Sequence, residues 1–380
     1  MGSFPCGARR TKHRKPTTAS LARTVTRSLG RAYARTVLRP LLHIDPRAAL
    51  DASGLYVAPG PGPRPQDRTI RLAVVGDSGA LGLGVEKREQ TTGALLAGTL
   101  ARALDHPVQL KVCGAVGAST HGMSRCVARA RKHNPQCVVI IVGGNDTLLP
   151  RPVRWAARRL GRYVEQLVIQ GASVVVATAP DTGSCPLFPG PVRRLLSWRS
   201  RRMGEFQALH AVRSGARVVS LSDTVFRERP DEMLGRDGFH PSAAGYALQC
   251  ARLGLAVVAA AGGPAPEEEP FGPEDGELPL RDAARTAART RDAHLAPSPS
   301  PEHALLCVRP PEARRRGARG HASRGGPGGR SGPGTPGPVT AVCGGPLTGT
   351  GRTPRARYAG HAHDPYGPGR YAPVRRVPAG

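Results

Sequence analysis

Ser78, Asn145, Asp237 and His240 stand where glycine interrupts regular stretches of the chain. Ser78 closes Leu72-Ala73-Val74-Val75-Gly76-Asp77-Ser78, an apolar run of strand length that ends in a glycine-punctuated turn. Asn145 follows Val139-Ile140-Ile141-Val142-Gly143-Gly144 in the same manner, and Asp237 and His240 share the loop Asp237-Gly238-Phe239-His240-Pro241. A hydroxyl, an imidazole, a carboxylate and an amide are together the parts of an activated serine nucleophile. An Asp three residues before a His in one tight loop can turn back and accept the imidazole Nδ1 proton, which leaves Nε2 free to take a proton from a serine. Each residue also has a plainer role. Ser78 and Asn145 can cap the helices that follow their strands, and His240 can be a satisfied loop histidine. The turn at Ser78 is not the Gly-x-Ser-x-Gly elbow, since Ala80 fills its last position, and no Gly-Lys-Ser or Gly-Lys-Thr makes it a phosphate loop.

The elements that must hold these residues follow from the hydrophobic pattern. Strands are predicted at 71–76, 108–113, 137–142, 172–178 and 216–221, with helices at 90–104, 119–132, 154–170, 191–213 and 242–261. Strictly alternating strands and helices imply a three-layer α/β/α domain around a central, mostly parallel five-stranded sheet. In such a sheet Ser78, Asn145 and the Asp237–His240 loop all fall at the C-terminal edge. The closing helix is apolar along much of its length, but Gln249 and Arg252 inside it predict a packed core helix. Leu187, Phe188, Trp198 and Phe206 are candidates either for a substrate pocket or for the core, and Asp181, Thr182 and Gly183 for a turn that can also line a pocket.

With these stretches in order, residues 70–262 resemble the SGNH hydrolases, also called GDSL-type esterases and lipases. Gly76-Asp77-Ser78 resembles the first block of that family, Gly117 the glycine of the second, Gly143-Gly144-Asn145-Asp146 the third and Asp237-Gly238-Phe239-His240-Pro241 the last. Two departures are visible: Gly79 follows Ser78, and the Asn that commonly precedes the second-block glycine is absent. The resemblance implies a flavodoxin-like fold with Ser78 as nucleophile, His240 as base and Asp237 as its orienting partner. It implies an oxyanion hole made of the Ser78 and Gly117 N–H groups and the Asn145 side chain. The implied activity is that of a serine esterase or lipase acting on a small-molecule ester through an acyl-enzyme, with no metal or organic cofactor. Carbohydrate deacetylation and thioester hydrolysis stay open on the same fold, as does a membrane-associated adaptor with a vestigial hydrolase domain.

Composition bounds the rest. The chain of 380 residues carries 55 Lys+Arg against 27 Asp+Glu, a net charge of +28. The excess is mostly arginine, and aromatics are only 4%, too few for a series of base-stacking platforms, so no nucleic-acid partner is expected. Eight cysteines include no Cys-x-x-Cys pair, and Cys113 and Cys137 fall in predicted buried strands, which favours a reducing compartment. Between residues 20 and 42, Leu21, Val25, Leu29, Tyr33 and Val37 alternate with Arg23, Arg27, Arg31, Arg35 and Arg39 at four-residue spacing. This predicts an amphipathic helix that neither resembles a signal peptide nor can span a bilayer. It either lies on an anionic membrane surface or packs on the domain. The expected location is cytoplasmic, with the inner membrane face as a peripheral site. A Pro/Gly linker at 58–68 closes this N-terminal segment, and residues 263–380 read as a low-complexity, disordered tail in which 280–295 has helical propensity.

Overall fold

Five apolar runs pair in parallel at the centre of the sheet: β2 (Ile70–Gly76), β3 (Val108–Gly114), β4 (Cys137–Ile141), β5 (Ser173–Ala177) and β6 (Arg217–Val219). The structure is a computed structural model, and it describes residues 49–59, 68–263, 277–290, 293–308 and 375–377. The central strands lie in the order β3-β2-β4-β5-β6. This is the doubly wound order in which the chain runs from β2 to one neighbour and then crosses to the other. The crossing places a crevice outside the C-terminal end of β2, where Ser78 follows. β4 is buried at every position, as an interior parallel strand covered on both faces requires.

Helices cover both faces. α1 (Thr92–Leu104) packs Leu96 and Leu100 on one face, against Leu72, Val74 and Val139. On the other face α2 (Ser124–Lys132) and α4 (Val153–Val168) set Val127, Leu160 and Val164 against Ala73, Val75, Val138 and Ile140. Successive strand residues thus feed opposite cores, the period-two rule of a strand. A short helix, α3 (Gly144–Leu148), follows β4 directly. α5 (Gly190–Arg213) joins the second face through Ala208 and Ala211. Two single-turn helices, α6 (Val225–Glu228) and α7 (Pro230–Met233), lead to α8 (Ala243–Ala260). α8 is the one described helix long and apolar enough to cross a membrane, but it packs Leu253, Ala256 and Val257 into the first core.

The sheet is larger than the predicted five strands. Among the described residues it has ten, and the five additional ones extend both edges. β1 (Gly54–Val57) pairs antiparallel with β3, and β10 (Arg375–Val377) pairs with β1. On the far side β8 (Ala293–Pro297) pairs antiparallel with β6, followed by β9 (His303–Val308) and β7 (Glu277–Pro279). The boundaries expected at 69 and 262 are therefore corrected: the fold takes in chain on both sides of them. The disordered tail is likewise corrected for 277–308. The physical reason is an edge. β6 is only three residues long and would leave its outer backbone groups unpaired. α9 (Leu280–Ala287) buries Leu280, Ala283, Ala284 and Ala287, an i, i+3, i+4, i+7 stripe, in the same core as α5. The helix expected over 280–295 ends at Ala287, and strand β8 follows. The amphipathic segment 20–42 and most of the Pro/Gly linker lie outside the described residues.

Candidate active site

Ser78 is set by a close approach of two strands. A Cβ on Gly76 would sit 2.0 Å from the Ile141 carbonyl oxygen, so only glycine lets the ends of β2 and β4 meet. The Asp77 N–H then donates to Ile141 O at 3.1 Å. The chain turns at once: Leu81 N–H donates to Asp77 O (3.3 Å) and Leu83 N–H to Ser78 O (3.1 Å). The Asp77 carboxylate accepts the Gly79 N–H at 3.0 Å, and the Thr92 hydroxyl at the start of α1 donates to Gly79 O at 3.0 Å. Burial, opposed by the Gly79 N–H and by His240, pushes the Asp77 carboxyl up to about 6.

The second part of the site comes from the loop between α7 and α8. Gly235 N–H donates to His240 O and Gly238 N–H to Gly235 O, both at 2.8 Å, and Leu234 and Pro241 form an antiparallel bridge. Gly238 sits at φ +62, a left-handed turn position. Asp237 Oδ1 accepts the N–H groups of Phe239 (3.0 Å) and His240 (2.9 Å), while its Oδ2 meets His240 Nδ1 at 2.5 Å. Ser242 caps α8 by accepting the Gly245 N–H at 3.1 Å. Burial raises the Asp237 pKa. The hydrogen bond and charge of His240, with the two N–H donors, outweigh it and hold the carboxyl below its ordinary value.

The two parts meet at His240 Nε2, which lies 2.8 Å from Ser78 Oγ. With Nδ1–H committed to Asp237, Nε2 is the acceptor facing the serine hydroxyl. Ser78 and His240 are 5% and 3% exposed, so their pairing is largely withdrawn from water. Asn145 is inside the first turn of α3 and does not cap it, because Gly143 holds the N-cap position. Its side-chain amide donates to Ala118 O at 3.1 Å and, more loosely, to Asp77 Oδ2 at 3.4 Å. Gly117, one residue before that carbonyl, lies exposed in the turn after β3 at φ +70 and is not among the cleft-lining residues.

Other groups hold this edge in place. Asp146 accepts both the N–H and the hydroxyl of Thr120 at 2.8 Å, joining the turn after β3 to α3, and burial pushes its carboxyl up to about 6. Buried Gln207 on α5 accepts the Ala179 N–H and donates to Val142 O, both at 2.7 Å, tying the ends of β4 and β5. Arg199 donates to the carbonyls of Thr147 (2.6 Å), Leu149 (2.6 Å) and Arg151 (2.9 Å). The Gly-Gly-Asn-Asp run pointed at Asn145 and gave no role to Asp146. Gln207 and Arg199 bond mainly to backbone, and such partners leave no signature in a sequence.

Ser78 and His240 open into a cleft walled by Pro180, Thr182, Leu234, Phe239 and Tyr246 among others. Asp181 and Thr182 line it, but Gly183 does not. Leu187, Phe188, Trp198 and Phe206 do not line it either, contrary to one of the two expectations for them. Phe188 packs with Leu148, Cys185 and Leu196, and the Phe206 ring lies 4.8 Å beneath the Arg202 guanidinium.

The model of the GDSL-like lipase/acylhydrolase family matches residues 74–248. The chain is similar to the GDSL-like esterase Rv1075c of Mycobacterium tuberculosis, with 32% identity over 259 residues, 63% of this chain and 81% of that one. Among solved structures, a lipase/acylhydrolase from Enterococcus faecalis is 22% identical, with 52% of this chain and 99% of that one covered and a TM-score of 0.36. TesA is 22% identical over 50% of this chain and 97% of its own, with a TM-score of 0.38.

Proposed function

The chain belongs to the GDSL-like lipase/acylhydrolase family, and on that premise we propose that it is a serine esterase that cleaves carboxylic esters through an acyl-enzyme. The observation that carries this reading is the continuous chain Ser78 Oγ–His240 Nε2 (2.8 Å) and His240 Nδ1–Asp237 Oδ2 (2.5 Å) at the wall of the cleft. In the reaction, His240 takes the Ser78 proton as Oγ attacks the ester carbonyl. Asp237 holds the imidazole in its tautomer and stabilises the imidazolium without taking the proton itself. His240 then returns the proton to the leaving alcohol. A water, deprotonated by the same imidazole, releases the acid.

The tetrahedral oxyanion is stabilised by the Ser78 N–H and the Asn145 amide, both at the cleft wall, whereas Gly117, exposed and outside the cleft, does not take the part expected of it. The 3.4 Å contact of Asn145 with Asp77 is long for a hydrogen bond, so that proton can be given to the oxyanion while Ala118 O keeps the side chain oriented. The apolar walls of the cleft, including Leu221, Phe226 and Leu253, favour an acyl chain over a sugar as the bound group.

Chromogenic esters of graded acyl length test this. Turnover is expected to rise from acetyl to medium-chain esters and to vanish in Ser78→Ala. Hydrolysis of acetylated sugars with refusal of every longer ester would move the reading to carbohydrate deacetylation. Unchanged turnover in Ser78→Ala would sink the serine mechanism.

A further inference from the structure

The loop after β5 has the cleft on one side and a basic groove on the other. Asp181, Thr182 and Ser184 line the cleft, whereas Gly183 lines a separate groove with Ser197, Arg193, Arg194, Arg201 and Arg227. Arg193 Nε donates to Gly183 O at 3.0 Å, and Arg227 is paired with Asp181 at 2.6 Å. These bonds fix two of the four guanidiniums, while Arg194 and Arg201 stand exposed at the rim. From Gly190 to Gly204 the helix carries Arg193, Arg194, Arg199, Arg201 and Arg202 and no acidic residue.

The neighbouring ridge of α5 is apolar and uncovered. Leu195 and Trp198 are each 54% exposed and lie three residues apart on the helix. Val192 at the start of the helix and Leu187 before it are also exposed, at 39% and 42%. Leu187 connects this ridge to the catalytic loop, for its side chain lies 3.6 Å from where a Gly238 Cβ would be. An apolar ridge ending in an indole, flanked by a groove of arginines and no free carboxylate, matches the layered chemistry of one partner class. Anionic headgroups fit the groove, and the upper acyl region fits the ridge. A polyanion such as RNA would use the arginines but would leave Leu187, Val192 and Leu195 in water.

We propose that the N-terminal half of α5, with Leu187, docks the protein onto bilayers of acidic phospholipid and so sets the mouth of the cleft at the lipid surface. What the docking serves, an ester presented at that surface, rests on the hydrolase reading; the docking itself does not.

Trp155 and Trp198 are the two tryptophans of the chain, so full-length Trp155→Phe reports on Trp198 alone. This protein is mixed with phosphatidylglycerol vesicles bearing bromine on the upper acyl chain, and in parallel with phosphatidylcholine vesicles brominated in the same way. The expected result is a blue shift and strong quenching of Trp198 with phosphatidylglycerol alone. Arg194→Glu/Arg201→Glu in the same background, both at exposed positions, should weaken this binding by at least about tenfold, and 1 M salt should act the same way. Both variants should keep the parent's thermal transition and its turnover of a short soluble ester. The proposal is overturned if Trp198 stays unquenched while the protein sediments with the vesicles, which would place contact elsewhere in the chain. Equal quenching by the zwitterionic lipid, or indifference to the charge reversal, overturns it too. Loss of ester turnover in the parent with docking intact would count against the hydrolase reading alone.

Discussion

The two parts of the site are held in different ways. Ser78 and Asn145 follow parallel strands, and their positions are fixed by sheet register and by the approach of Gly76 to Ile141. Asp237 and His240 sit on a loop outside the sheet, held by its own backbone hydrogen bonds and by the bridge of Leu234 with Pro241. The difference extends to the carboxylates. Asp77 in the sheet-bound turn is raised by burial to about 6, whereas Asp237 in the loop is held low by His240 and two N–H groups that outweigh its burial. The nucleophile's position is therefore bound up with the stability of the fold. The base can be altered with less structural consequence.

Removing side chains from the loop should produce the largest effect. His240→Ala is expected to lower ester turnover by on the order of 10⁴–10⁶, and Asp237→Asn by about 10⁴, with a loss of stability smaller than that of a substitution at the strand ends. A large fall in melting temperature for either variant would erase the distinction between the two parts. The converse substitution is Gly76→Val. Its Cβ would lie 2.0 Å from Ile141 O and 2.6 Å from the Ala80 Cβ, so denaturant titration should show a loss of about 3 kcal/mol or more.

Ending the chain at residue 262 extends the test to the flank of the sheet. It removes α9 and β8, including fully buried Leu280 and Leu295, and should cost at least about 3 kcal/mol in the same titration. Unchanged stability would show that the flank is an appendage to a core complete at α8.

The pH dependence separates the two kinds of carboxylate. Asp77 and Asp146 have folded pKa values near 6 against 3.8 unfolded, so the folded state binds more protons between those values. Stability should thus fall as pH rises from about 4 to about 6, by up to about 3 kcal/mol per carboxyl, and Asp146→Asn should flatten that slope. Asp237 has the opposite sign. Its contribution is present above its unfolded value of 3.8 and is lost as pH falls through its lowered folded value, so Asp237→Asn should act on the acid limb. The smallest effect belongs to Gly238→Ala. The φ of +62 costs about 1 kcal/mol for a residue with a Cβ, while the nearest atoms, 3.6 Å away on Leu187, leave room for it.

The parallel strands were legible because a strand buried on both faces must be written as a run such as Cys137-Val138-Val139-Ile140-Ile141. Asp237 and His240 were legible because their interaction is local, three residues apart, and needs no knowledge of the fold. The flank was not. The buried stripe of α9 is one leucine and three alanines, which composition does not distinguish from the Ala- and Arg-rich chain around it. β1 and β8 are short strands whose place depends on which edge they find, and that is decided by pairing rather than by their own residues. The cleft walls were misjudged for a similar reason. The residues lining it, such as Leu221, Tyr246 and Leu253, come from segments that read equally well as core, whereas Trp198 and Leu187 point into solvent.

The most direct test of the central claim is to treat the full-length protein with a fluorophosphonate and locate the adduct by peptide mass spectrometry. The geometry predicts a single phosphonylated serine, Ser78, formed rapidly in the parent and at a rate lowered by orders of magnitude in His240→Ala. An adduct on another serine, or ester hydrolysis that persists with Ser78 unmodified, would contradict it.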